Sequence, residues 1–215
     1  MNKNILSMRL DILDNKRKEL LQKLSPFTKG FVLGGGTGLA LQLGHRKSFD
    51  FDFLSKSPIP RKLLEKLSKN IKIGNIAVDT LDELTFFTTN AIKITFLYYP
   101  FKPYFKALKL QNGLSLFGVE EIALQKAYTI GRRGEYRDYF DLYSILKNDY
   151  MHLKDIIAKA KKVYGNVFDE KIFLEQLVYF GDLANFDIIP ALIPLPKPEE
   201  VKQYFEKLVK AYIAA

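Results

Sequence analysis

The chain has 215 residues, 47% of them hydrophobic with 17 Phe and 12 Tyr, enough apolar mass to bury a sizeable core as one domain or as a core plus a smaller helical lobe. It contains no Cys, which excludes disulfides and thiolate metal sites and makes a reducing cytoplasm its natural compartment. The formal net charge of +9, from 33 basic against 24 acidic side chains, favours polyanionic partners such as RNA, or an acidic protein. Lys-rich surfaces also serve solubility and heat resistance, so charge alone does not name the partner. The N-terminal stretch is too charged for a signal peptide, and no apolar run reaches the roughly 18 residues of a membrane span.

Residues 4–24 place Ile5, Met8, Ile12, Leu13, Leu20, Leu21 and Leu24 at helical spacing, which predicts an amphipathic helix or helix pair with a basic wet side. Ser25-Pro26 ends it. From Phe31 to Leu54 the sequence FVLGGGTGLALQLGHRKSFDFDFL reads as strand, glycine turn, short helix and strand. Leu39 and Leu43 are four apart, and Gly44 can close the helix. SFDFDFL alternates strictly, so Asp50 and Asp52 share one face while Phe49, Phe51 and Phe53 take the other.

Two carboxylates spaced this way lie about 7 Å apart along a strand. They repel unless a cation is shared, and an oxygen-only donor set suits Mg²⁺ or Mn²⁺ and phosphate-bearing substrates. The glycines strip Cβ atoms from a helix N-terminus where a phosphate could meet backbone N–H groups, and Thr37 adds a hydroxyl. A solvated strand face is the bland alternative for Asp50 and Asp52. Their linkage to the glycine turn through one short helix favours a metal–nucleotide site.

After a break at SKSPIP, RKLLEKLSKNI predicts a surface helix with Leu63, Leu64 and Leu67 inward. IKIGNIAVDTL, LTFFTTN and AIKITFLYYP then predict strands, separated by turns at Asp82-Glu83 and Thr89-Asn90. The sum is an α+β arrangement, a mixed sheet with flanking helices. Residues 100–118 read as a connector with a short strand, and the boundary there divides a core of residues 1–115 from a helical C-terminal lobe of residues 116–215. In that lobe VEEIALQKAYTI forms a helix with Glu120 and Glu121 in its first turn, and a second helix begins near Glu135. Asp138 and Asp141, three apart, share a face of it. Three further segments of helical spacing fill residues 151–215, interrupted by the proline-limited stretch FDIIPALIPLPKP. With His45 and His152 alone, a His-based metal site is disfavoured.

The GG-T turn followed by HRKSFDFDF resembles the signature of polymerase-β-like nucleotidyltransferases, and in particular the AbiEii/AbiGii toxins. The helix VEEIALQKAY, the turn GRRG and the segment RDYFDLYSIL extend the likeness into the C-terminal lobe. The resemblance implies a polymerase-β-like core and transfer of a nucleoside monophosphate from an NTP. Gly35, Gly36 and Thr37 would cradle the triphosphate, Asp50 and Asp52 would bind Mg²⁺ (or Mn²⁺), Lys126 would hold the phosphates, and Asp138 would assist the attacking hydroxyl. Arg46 would orient a phosphate or Asp52. Arg132 and Arg133 read either as phosphate ligands or as a solvated turn, and Asp141 as a partner for a nearby arginine.

A likeness to these toxins also implies a toxin–antitoxin or abortive-infection role, with a cognate antitoxin as partner and no membrane. The acceptor does not follow from the likeness; the basic surface makes the 3′ end of a tRNA the first expectation and a protein hydroxyl the next. Many relatives of the superfamily carry a third metal-binding carboxylate on the strand beside the first two. Here that position is Thr95, with Asp79 as the nearest acid on a neighbouring strand. The alternative is a catalytically silent nucleotide- or RNA-binding module acting through a partner protein.

Overall fold

The computed structural model describes residues 8–110, 112–192 and 194–214. The N-terminal segment forms a 3₁₀ turn, Leu10–Ile12, and a helix α1, Asn15–Leu24, whose start is capped by the Asp14 carboxylate accepting from the Arg17 amide. Residues 4–7 of the expected helix lie outside the described residues. Strand β1, Val32–Leu33, runs into helix α2, Gly35–Leu43, which Gly44 closes in the left-handed conformation (φ +63°). Strand β2 covers Phe51–Ser55, so Asp50 stands one residue before it. Helix α3, Leu63–Ser68, buries Leu63 and Leu67 and leaves Leu64 partly covered.

A meander follows: β3, Ile73–Asp79; β4, Glu83–Thr88; and β5, Lys93–Tyr98. Glu83, expected in a turn, is the first residue of β4. The stretch expected to give a connector and one strand holds a hairpin, β6 (Leu108–Lys109) and β7 (Ser115–Leu116). Helices α4 (Val119–Thr129), α5 (Tyr136–Lys147), α6 (Leu153–Tyr164), α7 (Glu170–Val178) and α8 (Pro198–Ile213) complete the chain. None of the described helices is long and apolar enough to cross a membrane.

The seven strands form one sheet in the order β3-β4-β5-β2-β1-β7-β6. Pairs β2–β5 and β1–β7 are parallel and the others antiparallel, so the sheet is mixed and the fold is α+β. The alternation of SFDFDFL sorts the faces: Phe51 and Phe53 are fully buried among Phe86, Ile94 and Phe96, with Leu21 and Leu24 of α1 and Leu67 of α3 beneath. A second apolar cluster fills the helical half around Ile122, Phe140, Ile156, Leu177 and Phe205. Helix α2 bridges them, because Leu39 enters the second cluster while Ala40 and Leu41 enter the first. Its glycine end is thereby held at the junction of the two.

The proline-limited stretch crosses that junction. Ala184 exchanges backbone hydrogen bonds with Gly134 (2.8 Å) and Tyr136 (3.1 Å), and the Lys47 amide donates to the Ile189 carbonyl (2.9 Å). The loops on both sides of the site are thus tied to one strap.

The Phe53 ring stacks on Phe96 with centroids 5.1 Å apart and has no room to relax. Phe53→Ala is expected to lower unfolding stability by about 3–5 kcal/mol, read as a fall in denaturant midpoint with unchanged m value.

Candidate active site

The site begins at the bend between β1 and α2. The Gly34 amide donates to the Asp52 carbonyl (2.9 Å), which pins the bend to β2. Gly35 adopts φ +60°, and a Cβ there would stand 2.5 Å from Oδ2 of Asp52. A Cβ on Gly36 would collide with the Arg46 guanidinium. Both glycines are therefore required by close approach, and Gly35 also by its backbone conformation. The Asp52 carboxylate is thereby packed directly against the first residue of α2.

Thr37 is buried, and its hydroxyl donates to the Asp50 carbonyl while lying 2.9 Å from Ser48 Oγ. It fixes the backbone that presents Asp50. Asp50 and Asp52 are both half-buried and make no ion pair among the described residues. Burial, and then the charge of Asp50, push the Asp52 carboxyl above its ordinary range, against weaker opposition from Lys93, Lys126 and Arg133. A divalent cation would relieve both effects at once, and the oxygen donors suit Mg²⁺ or Mn²⁺.

Among the described residues no cluster of three or more His, Cys, Asp or Glu side chains converges on a metal position. The parallel register pairs Asp52 with Thr95 on β5, where the third carboxylate of many polymerase-β-like enzymes stands. Thr95 is wired to an acid all the same: Thr85 Oγ1 donates to Glu83 Oε1 (2.6 Å) and lies 3.2 Å from Thr95 Oγ1. A hydroxyl has one proton, so with that of Thr85 on Glu83, Thr95 donates to Thr85 and keeps its lone pairs. Asp79, the acid expected nearest, is on β3, with β4 between it and β5. Glu83 takes that place because the register sets it two residues from Thr85 on the same face of β4.

Behind the aspartates lies a buried charge network. Asp141 accepts from Nε and Nη2 of Arg46 (2.6 and 2.8 Å), from His45 Nε2 (2.7 Å) and from Lys126 Nζ (2.5 Å). Lys126 Nζ also donates to Asp138 Oδ1 (2.6 Å), whose carboxylate receives Nε and Nη2 of Arg133 (2.6 and 3.0 Å). Sequence spacing placed Asp138 and Asp141 on one face of α5; the structure adds that Lys126 sits between them. Burial opposes the charge on Asp141, yet Arg46 and Lys126 hold its carboxyl well below the usual range. Burial likewise opposes the charge on Lys126, and its two aspartates overcome it. Desolvation lowers His45 below its ordinary value, so the neutral ring donates through Nε2 and its Nδ1 has no partner among the described groups.

The sequence profile of the AbiEii nucleotidyl transferase toxins of type IV toxin–antitoxin systems matches residues 19–209. The chain belongs to this AbiEii family. It is a nucleotidyltransferase. An uncharacterized Aquifex aeolicus (strain VF5) protein is 31% identical over 210 residues, covering 94% of this chain and 98% of that one. Two Helicobacter pylori crystal structures share the fold at 19% identity. One, described as a candidate nucleotidyltransferase, has a TM-score of 0.58 and covers 93% of this chain and 95% of its own. The other, JHP933, has a TM-score of 0.51 and covers 97% and 99%.

In this AbiEii chain Arg46, expected to orient a phosphate or Asp52, is committed to Asp141. Its guanidinium is buried and engaged in a fork on Asp141, so it positions rather than meets solvent. The sequence reading also left the pairing of Asp141 open among nearby arginines; Arg46 lies 95 residues away along the chain, a separation that no local pattern signals.

Two outcomes follow for the network. Asp141→Asn leaves Arg46 and Lys126 short of a buried counter-charge and is expected to cost about 3–5 kcal/mol in denaturant unfolding at neutral pH. The folded-state values of Asp138 and Asp141 are lowered, so the stability they confer is complete above the ordinary aspartate value of 3.8 and fades as pH falls beneath it. Asp52 and Glu121, raised by burial, act in the opposite sense at higher pH. Unfolding followed against pH is therefore expected to show a steep acid loss below about pH 4 in wild type and a shallower one in Asp141→Asn.

Proposed function

We propose that the protein transfers a nucleoside monophosphate from an NTP to an acceptor hydroxyl, with Mg²⁺ (or Mn²⁺) held by Asp50 and Asp52. The observation that carries this reading is the Asp52 carboxylate set against the glycine end of α2, with Lys126 and Asp138 bonded to each other behind it. When bound, the cation neutralises charge on the phosphates and aligns the α-phosphate for in-line attack.

The chain's own residues divide the remaining work. The backbone amides of Gly35, Gly36 and Thr37 at the start of α2 receive phosphate oxygens, favoured by the helix dipole. Lys126 has three ammonium protons, two of them on Asp138 and Asp141, and the third is assigned to a phosphate oxygen. Asp138 accepts hydrogen-bonded contact from the incoming hydroxyl and takes its proton as that oxygen attacks phosphorus; the bond to the β-phosphate oxygen breaks and pyrophosphate leaves. Arg46, His45 and Asp141 act as positioning residues that keep Lys126 and the Ser48–Asp50 segment in place.

The favoured acceptor is the 3′ end of a tRNA, which the net charge of +9 supports through polyanion attraction, with a protein hydroxyl next. The family supports a toxin held in check by a cognate antitoxin, in the abortive-infection manner, and a cysteine-free chain is compatible with the cytoplasm. The substitution of Thr95 for a third acid favours one competing reading, a silent nucleotide- or RNA-binding module.

Labelled NTPs, Mg²⁺ and total RNA separate the two. Label is expected in RNA, abolished by EDTA, and reduced more than about 100-fold by Asp52→Ala, beyond the loss typical of a ligand's supporting partner. An unchanged melting temperature serves as the folding control. Label that stays free in wild type while NTP still binds identifies the silent module.

A further inference from the structure

Resting on the reading above, we infer that Arg133 is a nucleotide-phosphate ligand whose move from Asp138 onto the triphosphate uncovers the Asp138 carboxylate for the acceptor.

Three observations converge on this residue. The cations of the site differ in reach: the Lys126 side chain is 5% exposed and Arg46 5%, but Arg133 is 59% exposed although it is doubly bonded to Asp138. Of these three, Arg133 is the one an arriving triphosphate meets first. Secondly, Arg133 lies in the turn between α4 and α5, bracketed by Gly131 (φ +82°) and Gly134. Residues outside the two helices can re-aim a long side chain without disturbing the buried network. Thirdly, Asp138 is covered on both oxygens. Oδ1 receives Lys126 and Arg133 Nη2, and Oδ2 receives Arg133 Nε. While that arrangement holds, three of the carboxylate's roughly four acceptor positions are taken, and the Arg133 fork stands between Asp138 and an incoming hydroxyl.

The exchange is favourable in kind. A guanidinium forks onto phosphate oxygens as well as onto a carboxylate, so Arg133 trades one planar bidentate partner for another. Lys126 remains on Asp138 and keeps the carboxylate in place. Ligand binding and exposure of the acceptor's partner thus become one event, and an enzyme without NTP keeps Asp138 engaged. No proton or covalent bond changes hands in this step.

The test separates KM from kcat. In Arg133→Ala the NTP dissociation constant, measured with a fluorescent ATP analogue, and the KM are expected to rise about 10- to 100-fold, the range of a lost charge-assisted contact. At saturating NTP, kcat is expected to fall far less, because the bound state has Asp138 uncovered with or without Arg133. Guanidinium chloride in the low millimolar range is expected to restore part of the KM, the site being open to solvent, and Arg133→Lys to fall between. A variant with unchanged KM and Kd overturns the inference. So does one whose kcat collapses at constant KM, which would make Arg133 a fixed support for Asp138. A wild type that binds NTP but transfers no label sinks the proposed activity and leaves the binding comparison of Arg133→Ala intact.

Discussion

The carboxylate of Asp141 is where the two halves of the molecule are joined electrostatically. It is fully buried and accepts from Arg46 and His45, which follow α2, and from Lys126, which rides on α4. A lone buried carboxylate is strongly disfavoured, and so is a buried Lys or Arg without a partner. Each of these groups is tolerable in its place only because the others are in theirs. The apolar clusters supply most of the cohesion of each half, but they are indifferent to small slips between halves. A bidentate fork with hydrogen bonds near 2.7 Å is not. We read the network as the element that sets Lys126 in register with Asp50 and Asp52.

The same logic explains why the aspartates of β2 differ from those of α5. Asp138 and Asp141 are surrounded by cations and lie below the ordinary carboxylate range; Asp52 has none within ion-pair distance and lies above it. One pair is electrostatically complete and the other is left wanting positive charge. Glycines 35 and 36 let the Asp52 carboxylate and the Arg46 guanidinium pack directly against the start of α2. Acids enclosed by cations and acids without them are therefore told apart here by their surroundings, although they are the same residue type.

Much of this was legible in the amino-acid order because the relevant signals are local. Strict alternation at Phe49–Phe53 gave the faces of β2, Gly44 gave the end of α2, and the three-residue spacing of Asp138 and Asp141 gave their common helix face. What could not be read was pairing over long separations. The β6–β7 hairpin is made of two-residue strands, too short for any period to show. Glu83 looked like a turn residue until its register against β5 put it in line with Thr85 and Thr95. Arg46 read as orienting a phosphate or Asp52 because its partner lies 95 residues downstream. Thr37, expected in the turn, stands in the first turn of α2, and its hydroxyl serves the Asp50 carbonyl, a backbone contact invisible to composition.

The division of the site between the two halves has a consequence for how the chain is made. Ribosomes deliver the N-terminal half first, with Asp50, Asp52 and the glycine bend. Lys126 and Asp138 follow, and the strap that braces both loops comes nearly last, at residues 184–189. A nascent chain, or one cut short by premature termination, therefore carries Asp50, Asp52 and the glycine bend without Lys126 and Asp138, and lacks the counter-charge for Arg46. In a family of toxins, assembly of this bonded network is thereby deferred until translation is close to its end.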